Sequence, residues 1–348
     1  MTGPFIECPI PISEYPRVLL AHGGGGRLTQ NLIERMLLPS FDNPLLAPLH
    51  DGALLTIGDQ RLALSTDSYV VRPPFFPGGD IGRLAVFGTA NDLAMCGARP
   101  LFLSCGLILE EGLLMEDLWR VVLSIKEAAR EANVQVVTGD SKVVERGKGD
   151  GVFINTSGIG VVLPGVEIGP QRVQPGDEIV LSGPIGLHGI AIMALREGLS
   201  LDAAVESDSA PVFPLLEALA AAGVDIHMLR DPTRGGLSSA LNEIAKKSGV
   251  GVVIEEERLP VGAGVEGVCE ILGLDPLYVA NEGNFVAFVR QGQGETAAAV
   301  LHGHPLGRQA VAIGRALTEH PGTVVMRTRI RGERIVDMMS GEQLPRIC

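Results

Sequence analysis

Apolar residues recur along this chain in two rhythms, three- and four-residue steps that mark helices and short unbroken runs that mark buried strands. Leu28, Leu32, Ile33 and Met36 share one face of a helix predicted over 27–38, opened by Gly23-Gly24-Gly25-Gly26 and ended by Pro39. A short buried strand over 61–66 follows, with Asp67 at its end. The next helix, over 82–97, turns Leu84, Phe87 and Leu93 inward and carries Asn91 and Asp92 on another side. Residues 101–109 read as a strand. Leu118, Val121, Val122, Ile125 and Ala129 make 115–132 an amphipathic helix. A strand over 134–138 runs out at Gly139-Asp140-Ser141-Lys142, and 152–162 is another.

A turn-rich stretch over 164–177 marks a domain boundary. Beyond it the α+β pattern repeats. Strands are predicted over 178–181, 250–254, 284–289, 310–314 and 323–326, and helices over 189–197, 214–222, 237–247 and 295–302. From Asp337 onward periodicity stops, which predicts a mobile tail. The expected organisation is a Gly-rich segment and helix over 1–40, a first domain over 41–163, a second α+β domain over 164–336 and a tail over 337–348. The fold class is α+β, with helix layers on mixed or antiparallel sheets.

Composition narrows the function. The 348 residues carry 28 Lys+Arg against 41 Asp+Glu, a formal charge of −13, and no basic cluster, which argues against a nucleic-acid binder. With 46% hydrophobic residues the chain can bury large cores. No apolar run reaches the ~18 residues of a membrane span. Cys8, Cys96, Cys105, Cys269 and Cys348 are odd in number and form no C-x-x-C pair, so a disulfide framework is not expected. Met1 to Cys8 lacks the cationic start and apolar core of a secretory signal. These features lead us to expect a cytoplasmic protein.

Four acidic residues, Asp51, Asp67, Asp92 and Asp140, sit at the predicted ends of strands or on loops and helices beside them. Singly, such residues are as often turn or helix caps. Together they suggest a shared site for Mg²⁺, a hard cation bound by carboxylate oxygens and substrate phosphates. Gly23 to Gly26 precedes a helix and reads either as an anion cradle or as a flexible lead-in. Asp231-Pro232-Thr233-Arg234-Gly235-Gly236 also opens a helix, and Arg234 can fork onto oxyanions. A Walker motif is absent, and the G-x-G-x-x-G at Gly262 to Gly267 does not follow a strand, so neither common nucleotide fingerprint applies. Lys142 beside Asp140 reads equally as a functional group or a solvated loop lysine, and Glu282 as a functional group or a turn residue. His302 and His304 read as surface-loop residues, and Cys96 and Cys105 as inert core. Cys348 ends the sequence, an incidental residue or a thiol on an arm able to carry a group between sites.

His22 to Gly26, Ser65 to Ser68, Phe75 to Gly79, Asn91 to Met95, Leu103 to Gly106, Gly139 to Lys142, Asp231 to Gly236, Asn281 to Gly283 and Pro345-Arg346-Ile347-Cys348 together resemble the HypE family of [NiFe]-hydrogenase maturation over nearly the whole chain. That family is one of the ATP-binding proteins similar to aminoimidazole ribonucleotide synthetases, selenophosphate synthetases and thiamine-monophosphate kinases. The resemblance implies two α+β domains and a homodimer formed through the first.

The resemblance also implies a carbamoyl dehydratase using ATP and Mg²⁺. A HypF-like carbamoyltransferase would load Cys348, phosphorylation of the carbamoyl oxygen and loss of phosphate would leave a thiocyanate, and a HypC–HypD-like complex would take cyanide onto iron. Matching motifs put Asp67, Asp92 and Asp140 at Mg²⁺ and nucleotide, Asp51 as a further metal candidate, and Asn91, Gly139, Ser141 and Arg234 at the nucleotide. Cys348, Lys142 and Glu282 would be catalytic, the last two handling protons. Alternatives are another ATP-using relative of the selenophosphate synthetase kind, for which Cys8 lacks the Gly-rich context, and a non-catalytic maturation scaffold.

Overall fold

In a computed structural model, residues 16–41, 43–199, 205–339 and 347–348 are described. Cys8 and Pro345 lie outside them. Arg27–Leu32 (α1) runs through a π turn into Leu38–Ser40 (α2), so the helical path passes Pro39. The first sheet holds Ala53–Ile57 (β1), Gln60–Tyr69 (β2), Ala98–Glu110 (β5), Gln135–Val144 (β6) and Val152–Val162 (β7), in the order β1-β2-β7-β5-β6. A small hairpin, Phe75–Phe76 (β3) and Gly79–Asp80 (β4), leads into Ile81–Met95 (α3). With Met115–Glu131 (α4), α3 covers one face of the sheet. Asp80 caps α3 by accepting the Gly82 and Arg83 amides at 2.7 and 3.1 Å, an arrangement that contributes about 1 kcal/mol.

The strand alternation of two decides which face each residue serves. Ala63, Ser65 and Tyr69 of β2 are buried toward α3, while Leu64, Phe102 and Ile108 remain 43%, 41% and 44% exposed on the opposite face. That outer face is apolar and open.

In the second domain, Glu178–Leu181 (β8), Ile226–Arg230 (β9), Gly251–Glu255 (β10), Val286–Val289 (β11), Val311–Leu317 (β12), Val324–Arg327 (β13) and Glu333–Ile335 (β14) form one sheet, ordered β14-β13-β10-β12-β8-β11-β9. Its helices are Leu187–Arg196 (α5), Phe213–Ala221 (α6), Gly236–Ser248 (α7), Ala263–Leu272 (α8) and Gly294–His302 (α9). Both sheets are mixed: β5–β6 and β10–β13 are parallel pairs, and their remaining pairings are antiparallel.

α3 belongs to both halves. Its Leu84 and Phe87 fill the first core, whereas Ala94 and Met95 enter the second. Asn91, expected at a nucleotide, is buried instead as a staple: its amide donates to the carbonyls of Ala210 (3.0 Å) and Glu282 (3.3 Å) and accepts the Val212 amide at 2.9 Å. Among the described residues no helix is long and apolar enough to cross a membrane.

Candidate functional site

The junction between the domains gathers acidic side chains. Asp51 precedes β1, Asp92 lies on α3 and Asp231 follows β9; one carboxylate oxygen from each falls within 4.8 Å of the others. Asp231 was missed as a ligand from the sequence. Ser65 Oγ lies 2.6 Å from Asp92 Oδ2 and 2.9 Å from the Asp51 carbonyl oxygen, so its single hydroxyl hydrogen is shared between them. Arg230 spans Asp51 (3.0 Å) and Glu243 (2.7 Å). Asp51 Oδ2 is buried with no hydrogen-bond partner.

One arginine does not balance this charge. Burial, then the charges of Asp231, Asp51 and Asp67, hold the Asp92 carboxyl well above its usual range. Burial and then Asp51 do the same to Asp231, and burial raises Asp51 and Asp67. Convergent hard oxygens, one without a partner, fit a divalent cation. His50, pushed down to about 3 by burial and then by Arg230 and Lys247, is neutral beside them.

Asp67 lies within β2 rather than at its end, on the α3 face, with Arg234 Nη2 3.7 Å away. The turn carrying Arg234 depends on two glycines. Gly236 has φ +61°, and a Cβ there would strike the carbonyls of Leu277 and Val279; Gly25 has φ +75°, and a Cβ would strike the Arg234 main chain. The Gly23 to Gly26 loop is therefore clasped. Arg234 donates to the Gly23 carbonyl (3.3 Å), Ser239 to that of Gly25 (3.2 Å), and the Arg27 amide to that of Met339 (3.1 Å).

Gly139, Asp140, Ser141 and Lys142 stand apart. β6 runs on through them, and two strands, β7 and β5, separate it from β2, roughly 14 Å at ~4.8 Å per step. Asp140 pairs with Gly106, Gly106 with Asn155 and Asn155 with Ser68, so Asp140 shares the outer face with Ser68 and not the face of Asp67. Lys142, two residues on, lies on that face too and is bonded to Asp140 at 2.7 and 2.8 Å, both side chains largely exposed. Within a protomer they meet neither the acidic cluster nor Cys348.

Cys348 is not loose. It is 5% exposed, joins the first-domain core with Ile347, and its main-chain oxygen accepts the Val70 amide at 3.1 Å. Burial pushes the thiol up to about 12; Arg234 opposes this, while Glu282, Asp67 and Asp231 reinforce it. Glu282 is itself buried, and burial, then Asp231, Asp67 and Asp208, raise its carboxyl well above the usual range. His302 and His304 serve the loop around them, bonding the Ala310 carbonyl and the Leu306 amide.

Residues 49–162 match the AIR synthase related protein N-terminal domain, and residues 174–327 match the C-terminal domain. The chain is 50% identical over 333 residues to "Carbamoyl dehydratase HypE" of Cupriavidus necator, covering 95% of each. A solved HypE in complex with ATP is 50% identical with a TM-score of 0.81, covering 95% of this chain and 100% of that one. The solved HypE–HypF complex is similar at 46% identity and a TM-score of 0.84, over 88% and 99%.

Proposed function

Because the chain belongs to the AIR synthase related family and, within it, to the HypE carbamoyl dehydratases, we propose that it uses ATP to dehydrate a carbamoyl group on Cys348 to a thiocyanate, in the maturation of a [NiFe]-hydrogenase. The observation that carries this reading is the enclosure of the Cys348 thiol beside Arg234, Glu282 and Asp67, at the rim of the acidic cluster.

An amide oxygen is a poor leaving group, and transfer of a phosphoryl group to it makes its loss feasible. The carbamoyl oxygen leaves in phosphate, and the nitrogen gives up two protons as the C≡N bond forms. Glu282, buried among like charges, is a stronger base than a carboxylate in water and is the residue we assign to that nitrogen. Arg234 faces the thiol and the incoming phosphates. Asp51, Asp92 and Asp231 would hold Mg²⁺, which supplies charge shielding of the triphosphate when bound. Enclosure of the loaded residue keeps water from the activated group.

The group would come from a HypF-like carbamoyltransferase, and a HypC–HypD-like complex carrying iron would accept the cyanide. Cys348 must arrive as a free thiol, which a reducing cytoplasm maintains. A homodimer through the open outer face of the first sheet would cover Leu64, Phe102 and Ile108 together with Asp140 and Lys142. The test is mass spectrometry of the C-terminal peptide after incubation with HypF, carbamoyl phosphate and ATP. A carbamoyl adduct without ATP and loss of one water with it are expected; an adduct that persists with ATP, or maps to another cysteine, overturns the reading.

A further inference from the structure

His188, the second residue of α5, is completely buried, and both ring nitrogens are engaged. Nε2 lies 2.6 Å from the Ile347 carbonyl oxygen and Nδ1 2.8 Å from Ser207 Oγ. A carbonyl only accepts, so Nε2 carries the proton and Nδ1 accepts the Ser207 hydroxyl hydrogen. Ser207 accepts the Ser209 amide at 3.1 Å, which leaves that hydrogen free for the ring. Burial pushes His188 down to about 4, so the ring is neutral and this single tautomer is fixed. Phe76 packs edge-on against it, with centroids 5.5 Å apart at 84°.

The same short segment also places Glu282. Asp208, between Ser207 and Ser209, accepts the amides of Glu282 and Gly283, each at 3.1 Å, and that of His188. One three-residue stretch thus orients the imidazole that meets Ile347 and the backbone that carries Glu282.

We propose that His188, oriented by Ser207, docks the tail: its Nε2–H on the Ile347 carbonyl sets the Cys348 sulfur against Glu282 and Arg234. It is a positioning residue, acting one peptide unit from the sulfur. Its kinetic consequence rests on the function assigned above, whereas the docking does not.

The test uses the full chain and His188→Phe, His188→Gln and Ser207→Ala. Iodoacetamide labelling of Cys348, read by the mass of its peptide, follows the undocked fraction. His188→Phe should label about tenfold faster than wild type and Ser207→Ala about threefold, with His188→Gln, whose amide can reach the same carbonyl, between wild type and His188→Phe. After loading by HypF, single-turnover conversion with ATP should fall in the same order while ATP half-saturation and loading hold. A purely structural role would instead lower melting temperature and ATP saturation together, without recovery in His188→Gln, and that result overturns the proposal. So does unchanged labelling in His188→Phe or, should that variant not fold, in Ser207→Ala. Wild-type protein that loads but never converts, with the labelling order intact, overturns the function and leaves the docking standing.

Discussion

Replacing Asp231 by Asn removes a charge from the acidic cluster while keeping the side chain's shape. Two unit charges at the 4.8 Å limit repel by ~3.5 kcal/mol at an effective dielectric of ~20, and Asp231 has two such neighbours. Raised carboxyl pKa values relieve part of this, because protons taken up in the folded state neutralise charge. For a carboxyl whose folded pKa lies above its unfolded one, stability falls as pH rises from the unfolded value, ~3.9, through the folded value. Without Mg²⁺ the variant should therefore be more stable than wild type near pH 7.5, by about 1–3 kcal/mol, and the gap should shrink toward pH 5. With Mg²⁺ the variant's advantage should fall by up to about 2.7 kcal/mol, the stabilisation given by a cation at a hundred times its Kd, because the variant loses most of that gain. Urea denaturation in EDTA and in Mg²⁺, from pH 5 to 8, reads both effects. A variant less stable than wild type in EDTA, or one with the full Mg²⁺ gain, refutes the reasoning. Asp140→Asn, on the far face of the sheet, serves as the control and should show neither effect.

Asn91→Ala should cost about 2–4 kcal/mol in urea denaturation, since it strands two buried carbonyls and an amide at the junction; an unchanged midpoint would remove the staple from the account. Ile108→Asp should give a folded monomer in analytical ultracentrifugation, and a persisting dimer would exclude the outer face as the contact. Two glycines added after Cys348 should slow conversion at least tenfold while leaving loading intact, because the enclosed residue has no room beyond it; wild-type conversion would show the enclosure to be open.

Most helices and the inner strands were legible because their rhythms are strong: 152–162 appears as β7 with the same bounds, and α4 ends one residue short of its expected end, whereas α8 was not read as a helix. The acidic strand ends pointed to a shared site, and Asp51 and Asp92 do meet. Asp231 escaped because β9, Ile226 to Arg230, mixes His227 and Arg230 with its apolar residues and did not read as a strand, so no strand end was seen before it. Asp140 was grouped with the others on the assumption that its strand stopped short of it. Whether a residue lies on the inner or outer face depends on register, which only pairing with neighbouring strands decides. The docked chain end was hidden for a related reason: Val70, which bonds Cys348, and His188, which bonds Ile347, are remote in sequence, and both contacts are to backbone oxygens, which leave no pattern.

The anchoring of the Gly-rich loop to Met339 also sets a length. Met339 is held through the Arg27 amide, so a released Cys348 remains tethered by the nine residues after that point. Fully extended, these span about 30 Å. Any carbamoyl donor or cyanide acceptor must bring its reactive centre inside that radius, and within it the sulfur is present at an effective concentration on the order of millimolar. Once a partner is bound, handover then depends on where its reactive centre sits around this one protomer.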